Sequence, residues 1–152
     1  MAELIVVMAV ISVLSLVAIP SFKGIIEEQK LSADAKKLAT ILRTARSEAI
    51  LHGNPVTVKF YPADNSYKIM YTHIPDKSDT RYYLSPGIKY IGNTTFPDGA
   101  DRVKYCSFYA SGAPSQGGTI TLSNSNDRKC YIIVNGAAGR VRVSDKPPAN
   151  WK

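Results

Sequence analysis

The run from Leu4 to Ile19, 16 almost wholly apolar residues with Glu3 at its outer edge and Pro20 closing it, decides what this chain can fold into. It passes without a polar linker into a patterned, charged segment. A helix that is apolar on every side needs a surrounding that a small globular domain does not supply. Only Ser12 and Ser15 interrupt the run, and a serine can hydrogen-bond back onto the preceding turn. Counted through Phe22 the segment has 19 residues, a helix of about 28 Å against the ~30 Å of a bilayer core.

A cleaved secretory signal would carry a basic n-region and a small-residue cleavage site. Here the first charge is acidic, no such site follows, and the helical pattern continues past Phe22. An ordinary single-pass anchor leaves Glu3 to explain, since a carboxylate in or beside a membrane segment is costly and usually has a partner. The plain alternative is that Glu3 sits at headgroup level. Pro20 removes a helix hydrogen bond and crowds the previous turn, and Gly24, one turn on, weakens the same place. The long helix is therefore expected to have a soft spot just past the apolar run.

Beyond it, Leu31, Ala35, Leu38, Leu42, Ala45 and Ala49 recur at spacings of four and three, one apolar stripe on a helix. Glu27, Glu28, Lys30, Asp34, Lys36, Lys37, Arg43, Arg46 and Glu48 largely fall off that stripe. Gly53 with Asn54-Pro55 supplies the stop. From near the start to His52 the helix extends about 75–80 Å, too long for one compact domain. The period then becomes alternating. Strands are expected at 56–61, 67–71, 81–84, 88–91, 103–109, 119–123, 130–134 and 140–143, and their close spacing predicts antiparallel sheets in two packed layers. The tail is expected to dock through Trp151. The chain thus divides into an apolar helix segment 1–25, an amphipathic helix half 26–52 and a β-rich domain 53–152.

Glu3-Leu4-Ile5-Val6-Val7-Met8-Ala9-Val10-Ile11, followed by Pro20, resembles the N-terminus of type IV pilins and type II secretion pseudopilins. Tyr109-Ala110-Ser111-Gly112, Gly118 to Leu122, Tyr131 to Val134 and Gly139-Arg140-Val141-Arg142 resemble the GspH/FimT-type pilin domain. The resemblance implies an α+β pilin fold, a long helix packed on a C-terminal antiparallel β domain. It also implies a homo-oligomeric helical filament with other pilins, held in the inner membrane before assembly and displayed at the cell surface afterwards. Glu3 would neutralise the terminal amine of a neighbouring subunit, and Pro20 with Gly24 would melt or kink in the packed filament. By the same alignment the mature N-terminus, methylated in the family, lies two residues before Met1.

The net charge of +7 is uneven: residues 1–52 contribute +1 (six basic, five acidic) and the remainder +6 (thirteen basic, seven acidic). Arg140 and Arg142 project to one face if strand alternation holds, and Arg128, Lys129 and Lys146 lie close in sequence. Some FimT-like pilins bind DNA through a Gly-Arg-x-Arg motif, which Gly139 to Arg142 matches. Such binding is mainly phosphate contact and salt-sensitive. The alternative is a turn glycine followed by solvated arginines.

Cys106 and Cys130, with only His52 and His73 beside them, make no zinc spacing. A disulfide between two strands, formed in an oxidising compartment, is the preferred reading, two buried thiols the alternative. Asp98 and Asp101 flank Gly99 but fall short of a calcium set, and Asn93-Thr94-Thr95 fits a glycosylation sequon. No nucleophile elbow, phosphate loop or metalloprotease motif occurs. The expectation is a structural subunit without cofactor or metal. It would be a pilus-like filament pilin serving adhesion, motility or DNA uptake, with a secretion pseudopilin or a DNA-binding minor pilin as alternatives.

Overall fold

Small residues set the architecture. Ala35, Ala39, Ala45 and Ala49, each fully buried, line the same side of one helix as Leu31, Leu38 and Leu42, so that two sheets approach its backbone closely and the leucines fill the space between. The computed structural model describes residues 2–91 and 94–148, without the side chains of 15–23. Asn93 of the sequon and Trp151, the expected tail anchor, lie outside the described residues.

Helix α1 (Ala2–His52) runs unbroken across Pro20 and Gly24. The melting expected at that point concerns the packed filament; the single chain keeps the helix. At its end Gly53 takes a left-handed φ of 64° and the Asn54 side chain donates to the His52 carbonyl, satisfying one of the last helical oxygens as the Gly-Asn-Pro stop requires.

Among the described residues eight strands follow: β1 (Val56–Tyr61), β2 (Ser66–Met70), β3 (Thr80–Tyr83), β4 (Lys89–Tyr90), β5 (Lys104–Phe108), β6 (Gly118–Ser123), β7 (Lys129–Val134) and β8 (Val141–Ser144). They form two four-stranded antiparallel sheets, β3-β2-β1-β5 and β4-β6-β7-β8. The helix packs chiefly on β1, β7 and β8 and so spans both. Alternation holds in β1, where Val56, Val58 and Phe60 face the core. The ring of Phe96 lies 5.5 Å from that of Phe60, so the loop before β5 also contributes to the core.

The expected disulfide does not form: Cys106 and Cys130 are free, buried thiols. Cys106 pairs with Val58 on the edge strand β5 of the first sheet, whereas Cys130 pairs with Leu122 on β7 of the second. A bridge needs Cα atoms within about 7 Å and facing Cβ vectors, and sequence spacing alone cannot show whether two strands meet that condition. Asp34, placed on the solvated side of the helix by its charge, is also a correction. It is buried, with Oδ2 accepting from the Ser85 N–H at 2.7 Å and Oδ1 from the Ser85 hydroxyl at 3.1 Å. One helical carboxylate thereby fixes the β3–β4 turn.

Candidate assembly and nucleic-acid surfaces

The two halves of α1 differ in what surrounds them. From Leu31 onward the apolar face is covered by the sheets, whereas Leu4, Ile5, Val6, Val7, Met8, Val10, Val13 and Leu14 are each more than half exposed. These side chains are distributed around the whole helix, an exposed apolar area far larger than soluble monomers leave uncovered. Ser12 donates to the Met8 carbonyl at 2.7 Å, so its hydroxyl makes no demand on a partner. Glu3 stands exposed at the outer end. Among the described residues no helix is long and apolar enough to cross a membrane. Nothing lies within 4 Å of where a Cβ on Gly24 would stand, so packing within the chain does not require a glycine there.

At the junction between stalk and head, Glu28 pairs with Arg128 at 2.9 Å and Glu27 accepts from the Ser125 hydroxyl at 3.3 Å. These contacts tie the loop before β7 to the helix. The Arg128 guanidinium thus already has a carboxylate, and Arg128 lines one groove with Lys129.

The remaining candidates, Lys129, Arg140, Arg142 and Lys146, lie on or beside β7 and β8. β7 and β8 pair with Ile133 opposite Arg142 and Tyr131 opposite Ser144. By alternation Arg142, like Ile133 opposite it, lies on the side of the second sheet away from the core residues Ile132, Val134 and Val141, while Arg140 and Lys146 flank β8 and are exposed. Arg140 and Arg142 line a small cleft of about 250 Å³ with Ile133 and Asn135. Among the described residues none of these four has a carboxylate within 4 Å.

Gly139, which opens the motif, has a left-handed φ of 63°, and a Cβ there would stand 2.4 Å from the Gly112 carbonyl oxygen. That same oxygen accepts from Arg46 Nε at 2.9 Å, while Arg43 donates to the Val141 carbonyl at 3.0 Å. Two helix arginines therefore hold the start of β8, and together with Arg140 they line a groove of about 390 Å³. The remaining expected ligands are occupied otherwise: Asp98 pairs with Lys104 and Asp101 with Lys59.

Residues 34–139 match the family model described as type II transport protein GspH. The chain belongs to the GspH family. The match begins at Asp34, the buried helical carboxylate, and takes in all the strands up to the turn before β8. A fimbrial protein of Pseudomonas aeruginosa is 27% identical over 99% of this chain and 86% of its own length. The type IV minor pilin FimU of Pseudomonas aeruginosa has the same fold, with a TM-score of 0.59 at 16% identity over 81% of this chain and 96% of FimU. The minor pseudopilin EpsH of the Vibrio cholerae type 2 secretion system gives 0.60 at 15% identity over 76% and 96%.

Within this GspH-family fold, Arg140 and Arg142 line one cleft and Arg128 lines another with Lys129. Sequence reasoning missed Arg43 and Arg46. Their signal was present, two arginines three residues apart on one helix flank, but nothing in the sequence shows that this flank meets Gly112 and Val141.

Proposed function

We propose that this protein is a structural subunit of an extracellular type IV pilus-like filament and not an enzyme, polymerising through the apolar first half of α1. One observation carries the reading: a single 51-residue helix buries the apolar face of its second half and leaves the apolar residues from Leu4 to Leu14 exposed. Membership of the GspH family supports it. Before assembly the apolar segment resides in the inner membrane; afterwards its surroundings are copies of itself and of other pilins. Glu3 supplies the registration charge, pairing with the terminal amine of a neighbour, and Pro20 with Gly24 supplies a yielding point. An ion pair in an apolar bundle helps only when both charges are present, because an unpaired buried charge costs several kcal/mol. Glu3→Ala is expected to leave membrane insertion intact and to reduce filament yield. Negative-stain microscopy with immunogold labelling reads both; normal filaments from the mutant would refute the role of Glu3.

A DNA-binding role has its own supporting observation: Arg142 of β8 and Arg140 just before it are exposed, line one cleft and have no carboxylate partner among the described residues. Duplex DNA shifted by the wild type at low salt and not by Arg140→Ala/Arg142→Ala would establish it; equal shifts would remove these arginines. The likeness to EpsH supports a third placement, in a secretion pseudopilus. Labelled protein confined to the envelope in a strain with normal surface filaments would decide for that.

A further inference from the structure

The side of the first sheet turned away from the helix carries an arrangement that neither folding nor polymerisation requires. Lys59 on β1 is directly opposite Lys68 on β2, and Lys68 is directly opposite Arg81 on β3. Three cations therefore cross three adjacent strands in one row, about 4.8 Å apart from strand to strand. Like charges directly opposite each other destabilise a sheet. Each is met by a carboxylate from a different loop: Lys59 by Asp101, Lys68 by Asp79 at 2.8 Å and Arg81 by Asp64 at 2.7 Å. Ion pairs this exposed contribute little to stability, so the row and its counter-charges have no evident structural purpose.

Tyrosines border the row. The Arg81 guanidinium lies over the Tyr61 ring at 4.5 Å and beside that of Tyr83 at 5.7 Å. Tyr105 is directly opposite Lys59. At the Lys59 end the face deepens into a cleft of about 500 Å³, with Tyr105 and Tyr109 on its walls, the Lys59–Asp101 pair at one side and the hydroxyls of Thr57, Ser107 and Ser115 at the other. Those hydroxyls are already ordered: Thr57 lies 3.0 Å from the Ser107 hydroxyl, and Ser115 Oγ accepts from the Ser107 N–H at 3.3 Å.

We propose that this cleft binds a neutral carbohydrate, with pyranose rings against Tyr105 and Tyr109 and sugar hydroxyls bonded to the Lys59–Asp101 pair and to Thr57 and Ser115. A sugar ring presents an apolar C–H face and a rim of groups that both donate and accept. Tyrosine rings match the first. An ammonium donor beside a carboxylate acceptor, with amphoteric hydroxyls nearby, matches the second. The volume lies in the range of roughly 300–1,000 Å³ usual for small-ligand sites. A polyanion fits this face poorly, because every cation of the row already has its own carboxylate. The β8 edge, where the arginines have none, is the contrasting case in the same molecule. Hydrogen bonding to Asp101 raises the Lys59 pKa despite partial desolvation, so the ammonium stays charged across the neutral range. The site stands on the head domain, and the inference holds whether or not the chain polymerises.

The full chain, held in a polyoxyethylene detergent that has no sugar headgroup, is to be titrated with maltohexaose, a β-galacto-oligosaccharide and chitotetraose, and separately with oligothymidylate, by saturation-transfer NMR. Saturation transfer to at least one neutral sugar is expected, unaffected by salt. Tyr109→Ala and Asp101→Asn, both at exposed positions, are each expected to weaken it by about tenfold, and Arg140→Ala/Arg142→Ala to leave it unchanged. Thermal unfolding checks that each variant folds; were Tyr109→Ala to unfold, Asp101→Asn alone decides. Binding of none of the three sugars, wild-type affinity in Asp101→Asn, or oligothymidylate displacing the sugar would overturn the proposal.

Discussion

Replacing Gly139 by alanine tests why the Gly-Arg-x-Arg motif begins with glycine. Two costs add at this position. The first is conformational: with φ at 63° an L-residue pays about 1 kcal/mol for the left-handed region. The second is steric, because the new Cβ would stand 2.4 Å from the Gly112 carbonyl oxygen and 3.1 Å from Arg46 Nε. No rotamer relieves a backbone clash, so the turn carrying Gly112 must move away from the helix. Its hydrogen bond from Arg46 is then lost, at about 2 kcal/mol for a charged donor. The sum is about 3 kcal/mol, or about 12 °C in Tm at ~4 °C per kcal/mol for a domain of this size. Gly53→Ala is the matched control. Its φ is 64° but nothing lies within 4 Å of its Cβ position, leaving about 1 kcal/mol and ~4 °C. Thermal unfolding of the two variants in the same detergent, followed by circular dichroism, gives the difference directly. Equal shifts for Gly139→Ala and Gly53→Ala would refute the helix-to-turn contact as the reason for the glycine.

Three further outcomes are expected. Asp34→Ala removes both hydrogen bonds to Ser85 and leaves a half-buried N–H without its carboxylate, a loss of about 2 kcal/mol measurable as a lower urea midpoint; an unchanged midpoint would show that the β3–β4 turn is held by other contacts. Asp79 has its carboxyl pKa lowered by the hydrogen bond from Lys68 and then by the Tyr71 N–H. A carboxylate with a lowered folded pKa stabilises above its ordinary value and loses that contribution as pH falls through the lowered one, so stability should decline below about pH 4. Asp79→Asn should flatten part of that decline, and an identical pH profile in the variant would count against the pair. Burial pushes the Cys106 thiol up to about 12 and raises that of Cys130 as well. Iodoacetamide should therefore label both slowly in the folded protein and quickly in urea, and an intact mass two hydrogens short under non-reducing conditions would contradict free thiols.

Local signals were enough for the elements. All the expected strands are found with ends displaced by a residue or so, because alternation and turn residues mark each one without reference to the rest of the chain. The helix stripe from Leu31 to Ala49 was legible for the same reason. What sequence did not reveal depends on pairing. Asp34 reads as a surface charge until Ser85, 51 residues later, is known to meet it. Cys106 and Cys130 read as a pair in the sequence but are free thiols on different sheets. The row Lys59–Lys68–Arg81 has no sequence signature, since it exists only through the registers of β1 with β2 and β2 with β3. On the assembly side, the acid, the apolar run and the proline were plain in the sequence because they lie within one helix.

The excess positive charge can now be placed, and its placement separates two surfaces that composition would merge. On the first sheet Lys59, Lys68 and Arg81 each have an aspartate partner, so that face is balanced. Lys77 pairs with Glu48, Lys104 with Asp98 and Arg128 with Glu28, which neutralises further cations of the head domain. Lys129, Arg140, Arg142 and Lys146, among the described residues, keep no such partner, and all four lie on or beside β7 and β8. Four of the unpaired cations of the β domain therefore lie on or beside β7 and β8, Lys89 and Arg102 being the others among the described residues. An attraction between this protein and a polyanion should act there and fall with added salt. Contacts made by the balanced tyrosine face should not. One basic domain thus presents two chemically distinct outer surfaces, and the helix that joins it to the apolar stalk leaves both of them uncovered.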